Sequence, residues 1–442
     1  MTADQPDGPP GWVSTARSSK LLQGSAWILV GLGIQSILGF SFWFLGSRVA
    51  SSAELGRASA LFTAIQFVNY ASGLGLTISL ARHATDTSAE SDSLFTWGVV
   101  ATVASSIIGG VACLAVAHTS AIELVKGSPT GWAIFCAYTA GTSVGLLVDV
   151  RLMAARRWDW LVGRIVVTGL LRLPFVLLRP HVSPDVWLYH LMLAPLAIGG
   201  VLAVPLLRPI GAGGTRWQRP KEMGAVARYS AVNWVATLAS QAPQFLLPLV
   251  VSWSVASAVY ANFFLAWTVT GLVVLVPGAI AQVLLVEGAK DEAAAERAAA
   301  NPNEPHEPAA GKAREALAFS LGLATLAWVV ALVGGSLVTS TFGHAYRGTA
   351  RLLPSLVFAG IPWAISSVRL SEARIRRDQV ATVAITATLG LGILVPTLLF
   401  VPHSGTIAAT RSWIGGNVAA ALVAVAVHQR SRRVPRLAAA SS

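Results

Sequence analysis

Arg172 lies inside TGLLRLPFVLL, an apolar stretch in which it is the only charge. A guanidinium set ~10 Å deep by helix rise costs several kcal/mol in hydrocarbon if it is left alone, so it requires a water-filled cavity, a carboxylate or an anionic ligand. Arg48, Arg57 and Arg411 stand at the ends of other apolar runs, where the side chain can snorkel to water. Carboxylates are scarcer: Asp149 is the clearest one inside an apolar run, and Glu54 and Glu287 sit at run ends. A chamber built from these residues holds more guanidinium than carboxylate. That balance suits an anion such as a pyrophosphate, because the guanidinium fork grips phosphate oxygens in two places. Asp149 is then the candidate for coupling an ion.

Polar side chains recur among the apolar ones at helical spacing. Thr63, Gln66, Asn69, Tyr70, Gly73 and Thr77 form one stripe, and Ser230, Asn233, Thr237, Gln241 and Gln244 another; Gly31, Gln35 and Gly39 follow at intervals of four. Steps of three or four put such residues on one helix face, and in lipid that face must look into a cavity or a neighbouring helix. Residue by residue, interhelical hydrogen bonding explains each of them. As stripes they point to a shared cavity, whose candidate lining is Arg48, Arg57, Gln35, Gln66, Asn69, Arg172, Asn233, Gln241, Gln244 and Arg411. Pro243 and Pro248 predict a kink in the helix bearing the second stripe.

Bond-making chemistry has no comparable signature. There is no glycine loop ending in Lys-Ser or Lys-Thr to cradle nucleotide phosphates. The histidines are scattered, and Cys113 and Cys136 lie in apolar runs as small packing residues, so neither a metal nor another cofactor is expected. Gly141 and Gly145 form a helix-packing GxxxG. The basic tail QRSRRVPR at 429–436 reads as a topology anchor or lipid-headgroup contact, and no nucleic-acid partner is expected.

The elements that position these residues follow from composition. Of 442 residues, 54% are hydrophobic and only 12% charged, half the charge of a soluble domain. The apolar residues gather into stretches of roughly 19–26, long enough to cross a ~30 Å hydrocarbon core as helices. Twelve such spans are predicted, near 25–47, 57–80, 94–117, 130–150, 160–178, 186–207, 229–251, 256–286, 316–341, 350–368, 380–401 and 405–427. The first is too long for a signal-peptide core and lacks a small-residue cleavage site, so it is expected to stay. With the N-terminus inside, all but eight of the 32 Lys and Arg fall on inner segments, the eight being Arg48, Arg57, Lys126, Arg172, Arg179, Arg347, Arg351 and Arg411. The positive-inside rule then places both termini in the cytoplasm, with Arg82 and Arg151 as inner anchors.

The outer loops are too short to fold as catalytic domains. The expected organisation is an N-terminal tail over 1–24, a first lobe of six spans over 25–208, a linker over 209–228, a second lobe of six spans over 229–428, and a basic tail over 429–442. An inner loop over 287–315 combines a short helix at EAAAERAAA with the stretch NPNEPHEP. Two six-span halves in matching orientation are the pattern of a duplicated transporter.

Residues 24–82 resemble the first two helices of the polysaccharide transporters, the lipid-linked oligosaccharide or O-antigen flippase-like family of the multidrug/oligosaccharidyl-lipid/polysaccharide exporter superfamily. The features that carry the resemblance are Arg48, the loop Glu54-Leu55-Gly56, the pair Gly73-Leu74-Gly75 and the closing Arg82. LMAARRWDW at 152–160 is similar to the basic turn after the family's fourth helix, and FGHAYRGTARLLPSL at 342–356 to its passage into the tenth. The resemblance implies an all-α polytopic membrane protein of about twelve helices, with two six-helix lobes around a V-shaped central cavity open alternately to each side. It implies flipping of a polyprenyl-pyrophosphate-linked glycan across the cell inner (cytoplasmic) membrane for cell-surface polysaccharide biosynthesis, alongside membrane lipids and a glycan polymerase or other biosynthetic membrane partner. Stopping at twelve spans departs from the peptidoglycan-precursor flippases, which usually have two more. Arg172 and Arg411 rest on depth and charge, not on the resemblance.

Three other readings compete. A drug/cation antiporter of the same superfamily needs several cavity acids, a membrane glycan polymerase or ligase needs a large outer loop, and a non-transporting scaffold leaves the polar stripes as packing glue.

Overall fold

A computed structural model describes residues 20–83, 88–178, 182–221, 223–300, 310–376 and 378–440, and every regular element among them is helical. Eight stretches are long and apolar enough to cross a membrane on composition alone. One of them, Gln379–Arg430, holds two spans that meet at Gly405, where φ is 56°. Ser52–Ser72, Trp158–Val176 and Met223–Ser254 add three more and bring the number of spans to twelve. Ser52–Ser72 and Trp158–Val176 fall short on composition because one carries a polar stripe and the other Asp159, Arg164 and Arg172. The chain is a multi-pass membrane protein.

Several boundaries move from those expected. The seventh helix starts at Met223, so residues 223–228 belong to it and not to the linker. It runs unbroken through Pro243 and Pro248. The eighth continues from Ser257 to Ala300, absorbing EAAAERAAA as its own extension; NPNEPHEP lies outside the described residues.

In the N-terminal lobe the fourth span, Pro129–Ala154, packs between the third and the sixth (Ala89–Val116 and Pro184–Leu206), while the first, Lys20–Val49, lies on the fifth, Trp158–Val176. In the C-terminal lobe the eighth and tenth spans pair, and the seventh and tenth rest on the last two. The lobes meet chiefly where the second span crosses the seventh and eighth.

That second span is interrupted. Leu74 and Gly75 have φ of 48° and 66°, so Ser52–Ser72 stops and a separate helix, Leu76–His83, follows. The conformation favours glycine, and so does the space: a Cβ on Gly75 would lie 2.3 Å from the Ser230 carbonyl oxygen. Beside this contact Ser230 Oγ donates to Ser79 Oγ at 2.6 Å and Trp234 Nε1 to the Ala71 carbonyl at 2.7 Å. Towards its other end, Gly56 abuts the backbone of Ser257, with room for no Cβ (1.8 Å), and Thr63 Oγ1 bonds Tyr260 OH at 2.7 Å. The second span therefore touches the C-terminal lobe near both ends.

The linker is strapped to the N-terminal lobe. Arg151, 2% exposed, donates to Asp92 (2.6 Å), to the Ala212 carbonyl (2.8 Å) and to Ser91. Asp92 also accepts from Gly214 N–H at 2.8 Å, and Thr96 and Glu90 accept from the N–H groups of Arg216 and Lys221, both at 2.8 Å. Arg151, expected as an inner anchor, is thus also a buried ionic staple. The side chain of Arg82 lies outside the described residues.

Candidate functional site: a polar cavity between the lobes

Between the two ends of the second span lies a cavity of about 570 Å³. Its floor is aromatic. Phe40, Trp43, Phe62, Phe264 and Trp267 line it, with Trp43 meeting Phe264 edge-on at 4.9 Å between ring centroids. Its polar wall comes mostly from the N-terminal lobe: Gln35 from the first span, Gln66, Asn69 and Tyr70 from the second, Thr142 and Asp149 from the fourth, and Arg164, Thr168 and Arg172 from the fifth. The C-terminal lobe adds Gln244 and Thr268.

Arg172 is the most unusual group in that wall. It is 3% exposed and meets no carboxylate among the described residues. Its Nη1 points at the thioether of Met192 (2.8 Å), a weak acceptor, and its guanidinium carbon lies 5.4 Å from the centre of the Phe42 ring. Nε, itself buried, has no hydrogen-bond partner among the described residues. The side chain lines the cavity with no carboxylate among the described residues to balance its charge.

The side-chain amides divide into free and occupied. Gln35, Gln66 and Gln244 make no hydrogen bond among the described residues and face the cavity. Asn69 does not have that freedom: its Nδ2 donates to Thr142 Oγ1 (2.8 Å), and its Oδ1 accepts from Ser143 Oγ (2.9 Å). It lines the cavity but serves as a tie between the second and fourth spans.

Asp149 is also occupied. Arg164 binds it through one edge of its guanidinium, Nε to Oδ1 at 3.0 Å and Nη2 to Oδ2, so the carboxylate expected to stand ready for an ion is neutralised in place. Sequence reasoning gave Arg164 to the inner charge cluster. The signal that finds it is the spacing of Arg164, Thr168 and Arg172, four apart on one helix face.

Four expected cavity residues lie elsewhere. Arg57 donates to Asp185 at 2.6 Å, a carboxylate only 1% exposed at the start of the sixth span, and so holds two helix ends together. Arg48 is exposed and stacks on Phe44, 5.3 Å from the ring centre. Arg411 and Gln241 are exposed away from the cavity, the backbone of Gln241 meeting the Tyr70 hydroxyl. The Asn233 side chain falls outside the described residues.

No family model matches the sequence, and no curated protein does. Solved structures do match. An inward-facing multidrug resistance MATE family transporter of the MOP superfamily superposes with a TM-score of 0.66 at 14% identity, covering 94% of this chain and 100% of that one. Lipid II flippase MurJ in an inward closed conformation gives 0.69 at 13% identity, covering 90% and 87%. The MATE transporter VcmN of Vibrio cholerae gives 0.53 at 17% identity, over 96% and 98%. The likeness shows the fold: twelve helices in two six-helix lobes around a central cavity.

Proposed function

We propose that this chain is a flippase that carries a polyprenyl-pyrophosphate-linked oligosaccharide across the cytoplasmic membrane by alternating access, supplying cell-surface polysaccharide synthesis. Both termini are cytoplasmic in this reading, with residues 25–208 and 229–428 as the moving lobes. The observation that carries it is Arg172, a buried guanidinium lining a polar cavity, whose donors no carboxylate among the described residues satisfies. An anionic headgroup supplies what those donors lack, since charge-assisted bonds to phosphate are the strong ones. The cavity's size falls in the ~300–1,000 Å³ range of ligand sites, enough for a headgroup and not for a polyprenyl tail. The tail stays in the lipid. The free amides of Gln35, Gln66 and Gln244 suit sugar hydroxyls.

The fold is shared by drug exporters and by a lipid II flippase, so the site must decide between them. A cation exporter calls for a free cavity carboxylate. Asp149, the one carboxylate lining the cavity among the described residues, is taken by Arg164, which favours an anion. The partners are then the lipid-linked glycan itself, membrane lipids and the polymerase or other membrane enzyme that receives the product; no step requires bond chemistry.

The test is transbilayer movement of a fluorescent lipid-pyrophosphate oligosaccharide in reconstituted vesicles. Wild type should move it, Arg172→Ala should not, and Gln35→Ala/Gln244→Ala should be slowed while remaining folded. A correctly inserted wild type that leaves the lipid in its original leaflet removes the reading.

A further inference from the structure

The fifth span offers the cavity a second cation that its ligand-free charge balance conceals. Arg164 and Arg172 are eight residues apart on one face, about 12 Å along the axis, with Thr168 between them. Extended arginine side chains from both positions can reach a single headgroup. Arg172 has no counter-charge among the described residues, whereas Arg164 spends Nε and Nη2 on Asp149. Its third nitrogen, Nη1, makes no hydrogen bond among the described residues and lies over Gly145, where an added Cβ would come within 3.3 Å of it. The pair borders the cavity and is not sealed in protein, the two side chains being 16% and 19% exposed.

We propose that Arg164 is a second anion-binding group for the diphosphate, held in reserve by Asp149. The headgroup engages Arg172 first and then draws Arg164 towards it, loosening the Asp149 contact. Asp149 thereby weakens binding, and a weakened site is one from which a carried ligand can leave. The proposal rests on the anionic reading of the cavity and adds to it the pair's role in setting affinity.

The experiment is calorimetric titration of the full-length chain in zwitterionic nanodiscs with geranyl diphosphate, following thermal stability in parallel. Four variants accompany wild type: Arg172→Ala, Asp149→Asn, Arg164→Gln, and the neutral pair Asp149→Asn/Arg164→Gln, which has the same local net charge as wild type. Asp149→Asn should tighten binding by roughly fivefold or more, the lower range of coupling between sites, and Arg164→Gln should weaken it similarly. The neutral pair should keep wild-type stability and still bind at least fivefold more weakly than wild type. If the neutral pair binds as wild type does, the ion pair only braces the fourth and fifth spans and the proposal is overturned, whether or not Asp149→Asn folds. If wild type binds no diphosphate, or Arg172→Ala leaves binding unchanged, the anionic reading of the cavity fails and the proposal fails with it.

Discussion

Replacing Arg172 with methionine should make the protein no less stable while removing its affinity for a diphosphate. An uncompensated buried charge destabilises a fold by several kcal/mol, and here the compensation within the protein is one thioether and one aromatic face. Methionine keeps most of the volume, packs against Met192 and Phe42, and leaves no polar donor behind. Loss of a buried charged partner to the ligand costs about 2–5 kcal/mol, which at ~1.4 kcal/mol per decade is about 30-fold to several-thousand-fold in Kd. The lysine variant retains the charge but not the fork, so it should fall between. The assay is diphosphate binding together with thermal unfolding on the same purified sample. A methionine variant that melts well below wild type yet binds the diphosphate unchanged would refute the reasoning, because Arg172 would then be a structural residue with a satisfied charge.

Other expectations follow from the contacts. Removing Arg57 strands Asp185, 1% exposed, so Arg57→Ala should lose about 3 kcal/mol of stability, and the double variant with Asp185→Asn should regain much of it; denaturation curves decide, and an unchanged melting point for the single variant would show the pair to be idle. Ser120 and Ser257, whose hydroxyl oxygens are 2.9 Å apart across the lobes, should crosslink as cysteines under mild oxidant and stop translocation until reduced; continued movement with the bridge formed would mean the lobes need not part there. Arg151→Ala should free residues 209–221 from the N-terminal lobe, seen as faster amide exchange confined to that stretch, and a protected linker in the variant would contradict the staple.

How much was legible in the sequence depended on the range of the interaction. Apolar runs bounded by charge located twelve spans, because crossing a bilayer is a local requirement of length and composition. Periodicity placed Gln35, Gln66 and Gln244 on the faces that line the cavity, and depth alone singled out Arg172. Asn69 has the same spacing, yet its amide is spent on Thr142 and Ser143, a fact that depends on which helix lies opposite. Arg57 lacked its explanation because Asp185 is 128 positions away and reads locally as an ordinary first-turn acid. Arg164 was hidden by its neighbours: adjacent to a cluster of loop cations it looks like an anchor, and only the fold turns it towards Asp149. The break at Leu74–Gly75 shows as a glycine pair in the sequence, but its purpose, close approach to Ser230, is a tertiary one.

The central claim is that the cavity selects an anionic lipid headgroup over a cation. Vesicles reconstituted with wild type and with Arg172→Met, offered a fluorescent lipid-pyrophosphate oligosaccharide and, separately, a fluorescent lipophilic cation, test it most directly. The account predicts movement of the pyrophosphate lipid by wild type alone and no protein-dependent movement of the cation by either. Cation transport by wild type with the pyrophosphate lipid left in place would contradict it.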